Sequence, residues 1–366
     1  MSPSPCPPLL PKWISLLLSG FVSALSGALD DLPDGLYAEI ETPRGMIVAE
    51  LHYDRTPLTV TNFVGLAEGT LGPMQGKPFY DGLTFHRVVP GFVIQGGDPL
   101  GTGQGGPGYE FPDELRADLR HHRKGILSMA NGGPDTNGSQ FFITLAEVNR
   151  LNYLHSVFGR VVEGMELIDT IEQGDTMHVR IHRRGAAAEA FTATIADFEQ
   201  RAAAVPRAQP RHLEDPAGLL PSTPPWALIL DHKLANLKRF TGAAFHVLLA
   251  DSAGPDNAQT TTAELAQQHA RRCGEPANGV VALYLEDRNE WGLWWGEDSG
   301  RAFASDGDLA TANYVFLEAA EHRAAAAILE RFPAGDAPVE QRLKRRLDQV
   351  IDGLIPVIES LSANPG

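Results

Sequence analysis

The spacing of glycine and proline constrains this chain more than any other feature. From Leu36 to Gly185 short apolar runs are cut by turn-forming residues. LYAEIET and MIVAELHY flank Pro43-Arg44-Gly45, and LTFHRV and GFVIQGG flank Pro90-Gly91. GILSMAN, GSQFFITL, SVFGRVVEG and HVRIHRRG follow. Such runs are too short for helices and suit strands. The 37 glycines and 27 prolines among 366 residues supply the breaks. Two stretches change to helical spacing. In TPLTVTNFVGLAEG (56–69), Val60, Phe63, Val64 and Ala67 share a face, with Thr56 placed to cap and Pro57 in the first turn. MELIDTIEQ (165–173) reads as a second helix. Without a strand–helix–strand rhythm, these elements predict an all-β-dominated, closed antiparallel barrel with helices at its ends.

The remainder divides by composition. Residues 1–28 carry Lys12, an apolar run from Trp13 to Leu25 and small residues up to Ala28, the pattern of a signal peptide. That run is short for a membrane span, and no second one follows, so the expected mature chain has no span. A bacterial periplasm or the cell exterior is the expected location; a retained N-terminal anchor is the alternative. The strand-rich segment spans 35–185 as a first domain, Ala186–Ala204 reads as an Ala-rich helical extension, and 205–225 as a Pro-rich linker. From 226 to 361 strand FHVLLAD, a helix opened by the Thr261/Glu264 capping box and strand VVALYLED form a βαβ pattern, with EWGLWWGED as a further strand and helices from Leu309 to Leu361. This predicts an α/β domain.

Several function classes are excluded. The formal net charge of -16 disfavours nucleic acid and anionic membranes as partners. Two cysteines, Cys6 and Cys273, build neither a disulfide framework nor a zinc site by themselves, and Cys273 reads as a buried or idle thiol. Gly101, Gly103 and Gly106 satisfy a dinucleotide fingerprint, but Pro107, Gly108 and Pro112 prevent the helix it needs. Asn137-Gly-Ser139 fits a glycosylation acceptor, and His121-His122 reads as a solvent-facing loop. No hydrolase nucleophile is visible. Asp251, Glu286 and Asp287 at strand ends read as solvated carboxylates or, alternatively, as ligands for a hard cation such as calcium. Trp291, Trp294 and Trp295 read as core or as a partner surface.

The stretch FHRVVPGFVIQGGD (85–98) poses the chemical question. A run this apolar reads as buried, and burying the Arg87 guanidinium is costly without a partner. FHRVVPGFVIQGGD, SMANGGPDTNGSQFFIT (128–144) and VFGRVVEGM (157–165), in that order, resemble the cyclophilin family of peptidyl-prolyl isomerases; the GTGQGGPGY loop is similar to that of bacterial members. The resemblance implies an eight-stranded antiparallel barrel capped by two helices, acting on proline-containing peptides and unfolded exported proteins with no cofactor and no metal. It gives Arg87 the catalytic position. Phe92, Val93, Phe142, Leu151 and His155 would line the proline pocket. Gln95, Ala130, Asn131 and Gln140 would bind peptide backbone or orient Arg87, and Gly103 and Gly132 would let the chain pass close. The sequence departs from the family at Val93, where Met is usual, at Arg150, where Trp is usual, and at Asn152-Tyr-Leu-His155, where Asp-Gly-Lys-His is usual. The missing Trp argues against tight cyclosporin binding, and Arg150 would favour acidic residues near the proline. A non-catalytic proline-binding module in an extracytoplasmic assembly is the alternative. Residues 226–361 resemble the TPM domain of extracytoplasmic and thylakoid-lumen proteins, carried by KLANLKRFTG, FHVLLAD and NGVVALYLEDRNEWGLWWGED.

Overall fold

The computed structural model describes residues 31–73, 76–274, 279–297 and 337–363, together with 299, 318 and 319. The expected signal peptide, Cys6 and most of the segment from Leu309 to the last helix lie outside the described residues.

Strands β1 (Gly35–Thr42) and β2 (Gly45–Leu51) form the hairpin expected around Arg44. Helix α1 (Pro57–Glu68) follows, then β3 (Arg87–Val89), β4 (Val93–Gly96), β5 (Ile126–Met129), β6 (Phe141–Thr144), β7 (Val157–Glu163) and β8 (His178–Arg184). They make one eight-stranded antiparallel sheet in the order β3-β4-β6-β5-β7-β2-β1-β8. The expected closure is incomplete. Edge strands β3 and β8 are not paired to each other; just before them the chains join at the isolated bridge Thr84↔Thr176. Phe63 of α1 sits between Tyr80, Phe141 and Phe158, with ring centroids 5.1–5.4 Å away, and fills the interior of the curved sheet.

The helix expected at 165–173 is instead a run of turns. Leu167 and Thr170 donate their amides three residues back, to Gly164 and Leu167, the spacing of tight turns, and Ile168 and Ile171 are buried. The extension after β8 is two short helices, α2 (Ala186–Glu189) and α3 (Ile195–Ala204). It is no loose appendage, because Phe191, Ala193 and Phe198 pack into the same core.

The C-terminal region is α/β. Strands β9 (Leu213–Glu214), β10 (Phe245–Ala250) and β11 (Val280–Leu285) run parallel, and β12 (Glu290–Trp295) pairs antiparallel with β11. Helices α4 (Trp226–Thr241) and α6 (Val339–Ala363) pack on one face through Leu234, Leu237, Leu347, Val350 and Leu354. Helix α5 (Thr262–Cys273), opened by the Thr261/Glu264 capping box, covers the other face. β9 lies inside the stretch read as linker. Trp291 and Trp295 are core rather than a partner surface, and Trp294 packs on the α5 side. Asp251, Glu286 and Asp287 are exposed, and the converging groups of ligand-type side chains among the described residues lie elsewhere. No described helix is long and apolar enough to cross a membrane.

Candidate active site

The hairpin β3–β4 brings Arg87 and Gln95 together, because its register pairs them directly across the strands. Arg87 Nη1 donates to Gln95 Oε1 at 3.2 Å, Gln95 Nε2 donates to Gln140 Oε1 at 2.9 Å, and Gln140 Nε2 donates to the Gly105 carbonyl at 2.8 Å. Each amide donates away from Arg87, so the Gln95 oxygen is left facing the guanidinium. One donor nitrogen is thereby fixed while the other guanidinium N–H groups stay available. Arg87 itself is exposed, contrary to the buried position that the apolar run implies. Arg87 opens the short edge strand β3 with its side chain exposed, so its charge is not taken out of solvent and the cost of burial does not arise.

Beside this chain lies an apolar surface. Val93 and Phe142 are buried, while Phe92, Leu151 and His155 are half-buried. The Arg87 Cζ is 5.6 Å from the Phe92 ring centroid, and Arg150 Cζ is 4.3 Å from the same ring. His155 stands nearly perpendicular to Phe142, with ring centroids 5.5 Å apart. Its Nδ1 donates to the Met129 carbonyl at 3.0 Å, which leaves Nε2 as an acceptor. Burial lowers its pKa, against the pull of Asp113.

Behind Phe142 lies a residue that the sequence reading misplaced. His121 is fully buried and stacked on Phe142 at 5.7 Å; only His122 faces solvent. Its ring nitrogens meet Asn152 Oδ1 at 3.0 Å and Ser128 Oγ at 2.9 Å, and burial pushes its pKa down to about 3. No helical or strand period marks it, since one partner, Asn152, lies 31 positions away and Ser128 reaches it across a turn of the chain.

Two cavities share Asn131 and Gly132. One of about 890 Å³ runs past Gln95, Gly103, Ala130 and Gln140. The other, of about 660 Å³, holds Phe92, Leu151 and His155. Arg87, Val93 and Phe142 line neither; Arg87 stands beside Gln95 at the rim. Asn131 Nδ2 is held by the Leu154 carbonyl at 3.0 Å and Asp113 Oδ1 at 3.2 Å, and the Ala130 amide donates to the Gln140 carbonyl. A Cβ at Gly103 would meet no atom of the protein, and one at Gly132 would lie 3.7 Å from Thr136 Oγ1, so both glycines leave open space. Gly103 has φ +85°, and its amide closes a turn on the Asp98 carboxylate. Asn137 is buried, donating to Asp113 Oδ1, which removes it as a glycosylation acceptor.

The second cavity has a wall that sequence reasoning missed. Trp226, Ile229 and Lys233 of α4 and Lys344, Arg345 and Asp348 of α6 face Phe92 and Leu151 across it. Lys233 Nζ donates to the Arg150 carbonyl at 3.0 Å and to Asp352 at 2.6 Å. Tyr153 is buried in the core of the C-terminal region, stacked on Phe240, with its hydroxyl donating to Glu359. This accounts for the altered loop: Tyr153 has φ +66°, a backbone that suits the family's glycine, and the docking contacts hold it there.

The model of the cyclophilin type peptidyl-prolyl cis-trans isomerase family matches residues 37–186. A probable peptidyl-prolyl cis-trans isomerase A of Mycobacterium leprae is 50% identical over 145 residues, covering 37% of this chain and 79% of that protein. The peptidyl-prolyl cis-trans isomerase ppi1 of Schizosaccharomyces pombe is 51% identical over 132 residues, covering 35% of this chain and 80% of its own length. A Cryptosporidium parvum cyclophilin type isomerase, crystallised in the presence of the dipeptide Ala-Pro, is 33% identical and covers 41% of this chain and 99% of its own, with a TM-score of 0.36. The chain therefore belongs to the cyclophilin-type peptidyl-prolyl cis-trans isomerases and is an enzyme of that family.

Proposed function

We propose that this isomerase works by a hydrogen bond from Arg87 to the twisted prolyl amide. An X-Pro bond rotates over a barrier of about 18–20 kcal/mol because rotation breaks amide resonance. In the twisted state the prolyl nitrogen regains a lone pair. A donor aimed at it stabilises the transition state more than either planar isomer, which is what raises the rate. Phe92, Leu151 and His155 hold the proline ring, with buried Val93 and Phe142 backing that surface, while Gln95, Gly103, Ala130, Asn131, Gly132 and Gln140 hold the flanking backbone. No nucleophile, proton shuttle or covalent intermediate enters this route. The relay Arg87–Gln95–Gln140–Gly105 is the observation that carries it, since it fixes a cation beside an apolar surface without neutralising it.

The substrates are proline-containing segments of exported proteins during folding. The N-terminal signal pattern and the resemblance of the C-terminal region to the TPM domain support that setting. The C-terminal region positions the segment, because it forms one wall of the cavity that holds Phe92.

Isomerisation of a short X-Pro peptide by the purified chain, compared with Arg87→Ala, tests this reading. A charge-assisted hydrogen bond contributes about 1.5–3 kcal/mol, so kcat/KM should fall roughly 10- to 100-fold. Turnover in a folded Arg87→Ala protein equal to wild type would sink the assigned role.

A further inference from the structure

A second constellation lies in the C-terminal region, on the sheet face covered by α5. The oxygen, nitrogen and sulfur atoms of Glu214, His269 and Cys273 lie within 4.8 Å of one another. His269 and Cys273 are four residues apart on α5, so they share a helix face. Glu214 comes from β9. The parallel register of β9 with β10 also sets His212 beside His246, with Nδ1 3.1 Å from Nε2. His212 and Glu214 alternate to the same side of their strand. A cavity of about 570 Å³ is lined by His212, His246 and Cys273 together. The three imidazoles are 4–8% exposed.

We propose that Glu214, His269 and Cys273 bind a borderline-soft divalent metal ion of the zinc type, with the His212–His246 pair beside the fourth position. The donor set of one thiol, one imidazole and one carboxylate is what zinc takes. Tetrahedral zinc with ordinary bond lengths sets its ligand atoms roughly 3.3–3.6 Å apart. Cys273 Sγ is 3.3 Å from His269 Nε2, and Glu214 Oε1 is 3.8 Å from that same nitrogen.

This last detail decides between two chemistries. A Cys–His–carboxylate proton relay needs the thiol on one ring nitrogen and the carboxylate on the other. Here both face Nε2, the arrangement of ligands around a common point. Cys273 also ends its helix, where the partial negative charge disfavours a bare thiolate and a bound cation would restore it. Nδ1 of His269 is 3.3 Å from Arg272 Nη2. Binding at Nε2 places the ring proton on Nδ1, so this exposed arginine must give way.

The test uses the full chain, stripped of metal with a chelator. Zn²⁺ is titrated against a chromophoric competitor, and Co²⁺ serves as the spectroscopic probe. One ion per chain and a near-ultraviolet thiolate-to-cobalt band are expected. Cys273→Ser should abolish the band, and His269→Ala should weaken Zn²⁺ binding at least about tenfold. Isomerase turnover of both variants should match wild type, which separates loss of the site from loss of the fold. A folded wild-type chain that shows no such band and binds Zn²⁺ no better than Cys273→Ser overturns the proposal.

Discussion

Arg87 and His121 show how a single side chain reports its environment. The sequence makes Arg87 conspicuous, because a cation stands in an apolar run, yet its exposure follows from the shortness of β3 and no run of letters reveals that. His121 shows the converse, an ordinary loop histidine in the sequence that is fully enclosed in the fold. Its protonation gives a pH signature. An unfolded imidazole titrates near 6.5, whereas folded His121 is pushed down to about 3. Between those values the unfolded chain binds the extra proton, so stability rises with pH. The contribution is complete above about pH 6.5 and declines toward pH 3, by about 1.4 kcal/mol per pH unit. The urea midpoint of the wild type should therefore fall between pH 7 and pH 5. His121→Gln should start lower and lose less over that interval.

At the scale of elements, regular strands and the α1 stretch were legible because their apolar periodicity needs only local residues. The ends were not. Thr56, expected to cap α1, donates its hydroxyl to the His52 carbonyl instead. The cap comes from Glu114, far along the chain, whose carboxylate accepts from the Leu58 and Thr59 amides and the Thr59 hydroxyl. A carboxylate at a helix N-terminus satisfies free amides and meets the positive end of the dipole. Glu114→Ala should lower stability by about 1–2 kcal/mol in urea titration, with the Arg87 relay intact and turnover at low denaturant near wild type. β9 was hidden for a related reason. Two residues among irregular prolines show no period, and only the edge of β10 makes them a strand.

For the whole molecule, the altered loop after Arg150 is the joint between the two regions. Lys233 is 2% exposed and is held by Asp352 and the Arg150 carbonyl, and removing one partner of a buried ion pair costs about 3–5 kcal/mol. Lys233→Ala, which removes the bond to the Arg150 carbonyl and leaves Asp352 unpaired, should therefore uncouple the regions, splitting one calorimetric transition into two. It should raise KM for an X-Pro peptide more than it changes kcat, because the cavity wall is lost while Arg87 and Gln95 stay in place. The catalytic half of this arrangement was readable from motifs. The wall was not, because its residues come from α4 and α6, more than seventy positions beyond the loop they face.

That wall also carries a light source. The Trp226 indole lines the cavity opposite Phe92, with Lys344 Nζ 3.5 Å from its ring centroid. Indole emission responds to nearby charge and to water, and a bound peptide would change both. The position where the family usually keeps a tryptophan is Arg150, so the optical reporter of the proline cavity has been moved onto the other region. Titrating wild type and Trp226→Phe with peptide would let the enzyme's own fluorescence follow occupancy without a label.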